Sequence, residues 1–306
     1  MTTLRIILNG KSANDERVRQ AVRLVRSEGC TVEVRPTWEP GDVQRLTLEA
    51  LREPEGTRPD VIVAGGGDGT VNEVIATAVA NGVGDDVAFA ILPLGTANDF
   101  ARSAGIDPQN ILDALRLAAN GSAMPVDVGT LDGRPFVNLI TGGFGSQITA
   151  ETDPRLKKQL GGFAYALTGL LRVGELTPNE GTFRAEGFEW SGAFVALAIG
   201  NGRQAGGGIP LCPDAVIDDG KLDLMILPYV GPEARAEAVA NLLRSGAAAV
   251  ASVVVRTQSS WVEYEGRQVS HINLDGEPIE RQSFRVDCLP ARIRLKLGAS
   301  PLLGRS

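Results

Sequence analysis

The sequence is poor in the residues that build disulfide frameworks, zinc sites and histidine-dependent active sites. Its three cysteines, Cys30, Cys212 and Cys288, are odd in number, far apart and without a CxxC spacing. This pattern indicates neither a disulfide framework nor a zinc site. His271 is the only histidine. A Ser-His-Asp hydrolase would depend on it alone, and we expect it to be structural.

Long apolar runs and excess positive charge are also lacking. The most apolar stretch, residues 238–255, contains Arg244 and favours a buried helix and strand over a membrane span. The apolar part of the N-terminal segment is too short for a signal peptide. A net charge of −7 is not typical of a nucleic-acid-binding protein, which usually carries a basic surface. We therefore expect a cytoplasmic protein without a nucleic-acid partner, and no feature indicates a protein partner.

The chain does have the length and composition of two packed domains. It has 306 residues, of which 43% are apolar and 22% are charged, and about 150 residues per domain is typical. Residues 1–126 alternate between strand-like and helix-like patterns. Such alternation predicts βαβ units and hence a doubly wound α/β domain with a mostly parallel sheet. The predicted strands cover 4–8, 31–36, 60–64 and 87–92, and the predicted helices cover 13–28, 42–52, 70–81, about 98–104 and about 108–119.

Residues 127–297 have a different pattern. Short strand-like runs are separated by turn residues, beginning with a hairpin signal at Asp132-Gly133. They predict a β-rich, antiparallel and sandwich-like second domain, interrupted by helices over 156–173 and about 232–245. The C-terminal tail, about 298–306, is expected to return to the first domain.

The richest local motif is AGGGDGTVNEV, residues 64–74. It follows a predicted strand and opens a predicted helix, which is where open α/β sheets bind ligands. Backbone amides of such a turn can converge on phosphate oxygens, because glycine places no side chain in the way. Thr70 and Glu73 have the spacing of a capping box. The alternative is a tight turn in which the glycines only supply positive φ angles.

Asp68 sets this loop apart from the common phosphate-binding loops. There is no GxxxxGK[ST] motif, and Thr70 stands where a dinucleotide-binding fingerprint has glycine. A carboxylate in a phosphate loop repels phosphate unless a cation intervenes, so Asp68 suggests Mg²⁺, held directly or through water. The alternative is that Asp68 caps the helix.

A second loop, ILPLGTANDFAR at residues 91–102, repeats this arrangement after the next predicted strand. Gly95 and Thr96 occupy the corresponding place, and Asn98 and Asp99 could start the following helix. One such loop is weak evidence, because helix caps are often built in this way. Two loops on neighbouring strands of one sheet together favour a nucleotide site.

Taken with several later segments, the two loops resemble the diacylglycerol kinase catalytic domain family. The resemblance runs in order through nearly the whole chain and is greatest to the bacterial YegS-type lipid kinases, whereas GGDG alone is shared with NAD kinases and phosphofructokinases. It implies an ATP-dependent kinase whose acceptor is a lipid hydroxyl, on diacylglycerol, a sphingoid base or phosphatidylglycerol. The further segments are NGKS (9–12), TWEPGD (37–42), TGGFG (141–145), GNGRQAGGG (200–208), LCPDAVIDDGKLDL (211–224) and NLDGEP (273–278).

The resemblance also implies roles for individual residues. Glu277 corresponds to the family's general base, and Asp68 belongs to the catalytic centre. A divalent cation, Mg²⁺ or Ca²⁺, is implied at the turn AVIDDGKL, with Val216, Asp219 and Lys221 as its ligands. Val216 and Lys221 could bind it only through main-chain carbonyls, and without the resemblance a plain β-turn accounts for the segment equally well. The implied ATP contacts are Thr37, Gly67, Asp68, Gly69, Thr70, Val71, Asn72, Glu73 and Thr96.

The segment around Glu277 has two interpretations. A carboxylate near the γ-phosphate can take the proton of a lipid hydroxyl as phosphorus is attacked. Asp275 would share a face with Glu277 if the strand ran straight. The alternative is a hairpin turn at Asp275-Gly276 with a solvated Glu277.

Two other functions stay open. An NAD kinase would share GGDG, but no second motif resembles the nicotinamide-side loop of those enzymes. A non-catalytic nucleotide- or lipid-binding module would need neither Asp68 nor Glu277. The predicted helix over 156–173 has a basic start and an apolar stripe, which suits a membrane interface, although an ordinary core helix is the favoured interpretation. We expect only transient contact between the protein and a membrane surface.

Overall fold

The computed structural model divides the chain into two compact units. Unit 1 consists of Met1–Val137, Val216–Gly220 and Cys288–Ser306, and unit 2 consists of Asn138–Ala215 and Lys221–Asp287. The structure describes residues 1–84, 86–143, 178–246, 249, 252–300 and 302–304. The helix predicted over 156–173 lies outside these residues.

Unit 1 contains a parallel sheet, as the alternating pattern predicted. Its strands are β1 (Thr3–Leu8), β2 (Thr31–Pro36), β3 (Val61–Gly66) and β4 (Ala88–Pro93). They pair in parallel in the order β2-β1-β3-β4. Every residue of β3 is buried, which is typical of a parallel strand covered on both faces. The doubly wound arrangement of helices on the two faces stays a prediction.

Helices follow the strands of unit 1. They are α1 (Glu16–Ser27), α2 (Asp42–Arg52), α3 (Asp68–Ala80), α4 (Asp99–Ser103) and α5 (Ile111–Asn120). Helix α1, which lies within the helix predicted over 13–28, buries Val18, Ala21, Val22 and Val25, and these apolar residues recur at the 3.6-residue spacing of one helix face. Their side chains join the apolar core of the unit.

A β-hairpin completes the described part of unit 1 before residue 137. It joins β5 (Ala123–Leu131) to β6 (Arg134–Phe136), and Leu131 pairs with Arg134 across the turn. Asp132 and Gly133 both have positive φ angles, of 48° and 81°, as a tight hairpin turn requires. The hairpin predicted at this dipeptide is confirmed.

Unit 2 is built from antiparallel strands. The strands are β7 (Leu139–Gly142), β8 (Asn179–Ala185), β9 (Phe188–Gly200), β10 (Leu222–Pro228), β11 (Val255–Ser259), β12 (Trp261–Leu274) and β13 (Glu277–Lys296). Strand β9 pairs with β7, β8 and β10, strand β12 pairs with β7, β8 and β13, and β10 pairs with β11. The helix α6 of this unit spans Pro232–Ser245.

The two units are not two continuous stretches of chain. Strand β13 starts in unit 2 and ends in unit 1, where Arg294 and Leu295 pair in parallel with β4. The segment Val216–Gly220 belongs to unit 1 by its contacts, although it falls within the range 127–297 predicted for the second domain. The amide of Ile217 donates to the carbonyl of Leu302 at 2.8 Å, which ties this segment to the C-terminal tail. The predicted domain boundaries themselves stay predictions.

Among the described residues, no helix combines the length and apolar content needed to cross a bilayer.

Candidate functional site

The two glycine loops of unit 1 touch through their backbones. Gly67 follows β3 and Gly95 follows β4, and a Cβ added to Gly95 would lie only 2.4 Å from the Cα of Gly67. The amide of Leu94 also donates to the carbonyl of Gly66 at 2.9 Å. A side chain at position 95 would collide with the backbone of Gly67, so this position requires glycine, while a Cβ at Gly67 would make a tight contact of 3.1 Å with the Cα of Gly95.

Asp68 joins the same two loops through its carboxylate. One oxygen accepts from the amide of Asp99 at 3.1 Å, and the other accepts from the amide of Phe100 at 3.0 Å. Asp68 therefore caps α4, the helix of the neighbouring loop, while Gly67 is the N-cap of its own helix. The capping box predicted at Thr70 and Glu73 is wrong, because helix α3 begins two residues before Thr70.

Asn98 shapes the second loop. Its side-chain oxygen accepts from the amide of Gly95 at 2.8 Å, and its side-chain nitrogen donates to the carbonyl of Gly95 at 2.7 Å. Its φ angle is 50°, and asparagine is one of the few residues other than glycine that adopts this left-handed conformation readily. Thr96, at the tip between these two residues, is exposed.

An unsatisfied polar atom lies in the first loop. Asn72 is only 8% exposed, and its side-chain oxygen has no hydrogen-bond partner among the residues that the structure describes. Buried acceptors of this kind are rare in native proteins, which makes this oxygen a candidate contact for a bound ligand.

Thr37 lies at the same edge of the sheet, after β2. Its amide donates to the carbonyl of Leu8 at 2.8 Å, and its hydroxyl accepts from the amide of Gly10 at 3.1 Å. A Cβ at Gly10 would lie 2.1 Å from the carbonyl oxygen of Thr37. The loops after β1, β2, β3 and β4 thus all follow the carboxyl ends of parallel strands, where open α/β sheets bind ligands.

Asp42 fixes the backbone just beyond Thr37. Its carboxylate pairs with Arg45 at 2.7 Å and accepts from the amides of Trp38, at 2.6 Å, and Glu39, at 3.1 Å. The Arg45 guanidinium, together with these two amides, lowers the pKa of Asp42 to about 2. Trp38 itself is 96% exposed.

We expect Asp42→Asn to remove a pH-dependent part of the stability. A depressed carboxylate pKa stabilises the fold above the unfolded-state value of about 4, and this contribution is lost as the pH falls through about 2. The variant, which does not titrate at this position, should be less stable than wild type at neutral pH. Urea unfolding between about pH 5 and about pH 2.5 should show the difference shrinking toward acid; a constant difference would contradict this assignment.

In unit 2, a tight turn precedes Glu277. Asp275 has a φ angle of 46°, and its two carboxylate oxygens accept from the amides of Leu139, at 2.7 Å, and Asn138, at 3.0 Å. Glu277 is the first residue of β13 and is exposed. The chain reverses at Asp275-Gly276, so the straight strand that would have placed Asp275 and Glu277 on one face is not present.

The predicted cation turn is hydrogen-bonded to a buried aspartate, Asp127, that no sequence motif indicated. Asp127 is 3% exposed and accepts from the amides of Gly220 and Ala291, both at 2.7 Å. Burial raises its pKa, and the charges of Asp219 and Asp218 act in the same direction. Val216 is half-buried, and Asp219 and Lys221 are exposed.

The side chains at this turn do not form a complete metal site. In the part of the chain that the structure describes, no group of three or more histidine, cysteine, aspartate or glutamate side chains could hold a metal ion. A cation at this turn would therefore need main-chain oxygens as well as Asp219, which is the donor set implied for Val216 and Lys221.

Two family models together match most of the chain. Residues 3–131 match the diacylglycerol kinase catalytic domain. Residues 138–297 match the YegS C-terminal NAD kinase beta sandwich-like domain. A Pseudomonas aeruginosa protein named "Probable lipid kinase YegS-like" is 49% identical over 299 residues, which cover 97% of this chain and 95% of that protein. The chain belongs to the YegS-like lipid kinase family.

Further relatives agree with this membership. A Xanthomonas oryzae pv. oryzae protein of the same name is 45% identical over 98% of both chains. A crystal structure of a diacylglycerol kinase from Bacillus anthracis has a TM-score of 0.72 and 20% identity, and the match covers 97% of both chains. That likeness shows a shared fold.

In this YegS-like chain, the predicted ATP residues fall at one sheet edge, on three loops and on the start of helix α3. Gly67 and Thr96 lie on the two loops in contact, Asp68–Glu73 form the first turns of α3, and Thr37 lies on the loop bonded to Gly10. Glu277 lies in unit 2, and the cation turn is divided between the two units after Gly220. Asp127 and Asn138 were not predicted, because neither lies in a recognisable motif. Each is hydrogen-bonded to residues that are distant in the sequence.

Proposed function

We propose that this chain transfers the γ-phosphate of ATP to a hydroxyl of a lipid, either phosphatidylglycerol or a diacylglycerol-like acceptor. The observation that carries the proposal is the contact between the two glycine loops of unit 1. Their backbones pack together at Gly67 and Gly95, the carboxylate of Asp68 joins them, and the buried oxygen of Asn72 faces no partner among the described residues. Family membership supports ATP as the donor.

In the proposed site, ATP contacts Thr37, the segment Gly67–Glu73 and Thr96. The backbone amides of the glycine segment would bind phosphate oxygens, and the start of helix α3 adds a favourable dipole. Mg²⁺, when bound with ATP, neutralises phosphate charge. Asp68, half-buried at the start of α3, would keep the two loops together and face that cation.

Glu277 is the proposed general base. Its carboxylate takes the proton of the acceptor hydroxyl as the hydroxyl oxygen forms a bond to the γ-phosphorus. The bond between that phosphorus and the β–γ bridging oxygen breaks, and ADP leaves with the electron pair. The Asp275 turn, anchored to the amides of Asn138 and Leu139, holds the backbone from which Glu277 projects.

We propose that the chain works in the cytoplasm and meets its lipid transiently at a membrane surface. The net charge of −7 disfavours lasting attachment to anionic lipid. No protein partner enters the proposal.

The acceptor class is tested with labelled ATP, Mg²⁺, a panel of lipids and NAD. We expect label in a lipid. Label in NAD alone would favour the NAD kinase alternative. The name of the matched C-terminal family also mentions the NAD kinase β-sandwich. Binding of ATP or lipid without any transfer of label would favour a non-catalytic module.

We also propose a divalent cation, Mg²⁺ or Ca²⁺, at the turn with Val216, Asp219 and Lys221. The negative charges of Asp219 and Asp218 raise the pKa of the buried Asp127 there, and a cation would offset this negative charge. We expect Asp219→Ala to reduce the metal-dependent rise in melting temperature measured without ATP. An unchanged metal titration in this variant would argue against the site.

A further inference from the structure

Trp38 is an exposed tryptophan on a loop whose backbone is fixed. The residue is 96% exposed. Its amide donates to the carboxylate of Asp42 at 2.6 Å, and the same oxygen accepts from the amide of Glu39 at 3.1 Å. Gly41, the N-cap of α2, has a φ angle of 89°, which favours glycine at this turn. The backbone that carries the indole is thus ordered in the free protein, which lowers the entropic cost of binding a ligand there.

Hydrogen bonds connect the Trp38 loop to the glycine loops along the sheet edge of unit 1. The amide of Gly10, after β1, donates to the hydroxyl of Thr37, after β2, at 3.1 Å. The amide of Asn9 donates to the carbonyl of Gly65, in β3, at 2.7 Å. The ends of β2, β1 and β3 therefore form one continuous edge.

The strand order indicates where the base of a bound nucleotide lies. The proposed ATP contacts extend from Thr96, after β4, through the glycine segment after β3, to Thr37, after β2. The strands pair in the order β2-β1-β3-β4, and three steps between neighbouring strands span about 14 Å. This span is comparable with the length of an extended nucleoside triphosphate. With the phosphates on the glycine segment, the base falls towards β2, beside Trp38.

The loop offers a base the face of a ring more readily than backbone donors. The amide of Thr37 donates to the carbonyl of Leu8 at 2.8 Å, and the amides of Trp38 and Glu39 donate to Asp42. These three donors are already used within the protein. The edge of a base beside the loop would therefore find them occupied, whereas the indole is in solvent.

We infer that Trp38 stacks on the nucleobase of the phosphate donor. The inference rests on the proposed function, because it takes a nucleoside triphosphate as the donor. Stacking on an aromatic ring uses the π-face that every base has, so Trp38 adds affinity without discriminating between adenine and guanine. A membrane surface also suits an exposed tryptophan, but the exposed carboxylate of Glu39 beside it disfavours contact with anionic lipid.

The inference is tested by calorimetric titration of wild type, Trp38→Ala and Trp38→Phe with ATP, GTP or tripolyphosphate, each with Mg²⁺. Trp38→Ala should weaken ATP and GTP binding by the same factor, about 10- to 100-fold, because one stack is lost. Tripolyphosphate, which has no base, should bind all three proteins equally. Phenylalanine keeps a ring face and should retain most of the affinity. Leu24→Ala, at a 45% exposed apolar residue in the last turn of α1, is the matched control and should change none of these affinities.

Tryptophan fluorescence gives a second measurement. ATP should quench part of the emission of wild type, and Trp38→Phe should lose this change, since the other two tryptophans, Trp190 and Trp261, belong to unit 2.

Three results would overturn the inference. They are an unchanged ATP affinity in Trp38→Ala, an equal loss of tripolyphosphate affinity, and weaker binding to phosphatidylglycerol vesicles in place of weaker ATP binding. The last would assign the indole to a membrane surface. A wild-type protein that binds neither nucleotide, or that transfers no label from ATP to lipid, would instead overturn the proposed function.

Discussion

Replacement of Glu277 by glutamine is expected to lower kcat for lipid phosphorylation by about 10²–10⁴-fold while leaving ATP affinity near the wild-type value. Glutamine has almost the same shape as glutamate but does not accept the proton of the acceptor hydroxyl. Phosphoryl transfer otherwise depends on positioning and charge stabilisation, which are assigned to the loops of unit 1. Steady-state rates and ATP titration of the variant measure the two effects separately.

Glu280→Gln is the matched control for this substitution. Glu280 lies three residues further along β13, is exposed and pairs with Nδ1 of His271 at 3.2 Å. Its replacement removes one carboxylate from the same strand and should leave kcat unchanged. Equal losses in the two variants would show that net charge, and not proton transfer, is responsible.

Asp275→Asn separates the base from its support. Both oxygens of Asp275 accept backbone amides, and an asparagine side chain keeps only one acceptor oxygen. We expect a loss of stability and a smaller fall in kcat than in Glu277→Gln. A larger loss of kcat in Asp275→Asn than in Glu277→Gln, with the fold preserved, would show that Asp275, and not Glu277, is the base.

Gly95→Ala is expected to weaken ATP binding by about 10- to 100-fold. The new Cβ would lie 2.4 Å from the Cα of Gly67 and 2.9 Å from the side-chain oxygen of Asn98. Backbone does not yield as a flexible side chain does, so alanine should displace the loops, and overpacking of this kind costs about 1–3 kcal/mol of stability. The expected fall in affinity corresponds to a loss of about 1.4–2.8 kcal/mol of binding free energy. The dissociation constant for ATP and the melting temperature of the variant measure the effect.

Gly69→Ala distinguishes loop packing from ligand approach. None of the residues that the structure describes lies within 4 Å of a Cβ at Gly69, which is in the first turn of α3. The fold should tolerate alanine there and even gain stability from its higher helix propensity. A loss of ATP affinity without a loss of stability would place the nucleotide beside Gly69. An undiminished ATP affinity in Gly95→Ala would contradict the role of the loop contact.

The features predicted well are those that depend on local pattern. The inward face of α1 follows from the spacing of Val18, Ala21, Val22 and Val25, and the hairpin at Asp132-Gly133 follows from turn chemistry. The two glycine loops were predicted after neighbouring strands for the same reason. Each of these signals lies within a short window of the sequence.

The features missed are those that depend on contacts between distant residues. Asp68 was a candidate cap for its own helix, but its partners are the amides of Asp99 and Phe100. No sequence pattern indicated Asn138, because its hydrogen-bond partners lie at positions 201–204 and 275, far along the chain. Residues 216–220 join unit 1 through partners such as Leu302, which no local pattern indicates.

The central claim is tested most directly by identifying the product. The purified protein is incubated with ATP, Mg²⁺ and phosphatidylglycerol or diacylglycerol in mixed micelles, and lipids and nucleotides are measured by mass spectrometry. The account predicts a lipid heavier by a single phosphoryl group, formed in equal amount to ADP and nearly absent with Glu277→Gln. ADP without a phosphorylated lipid, or phosphate found only on NAD added to the same mixture, would contradict it.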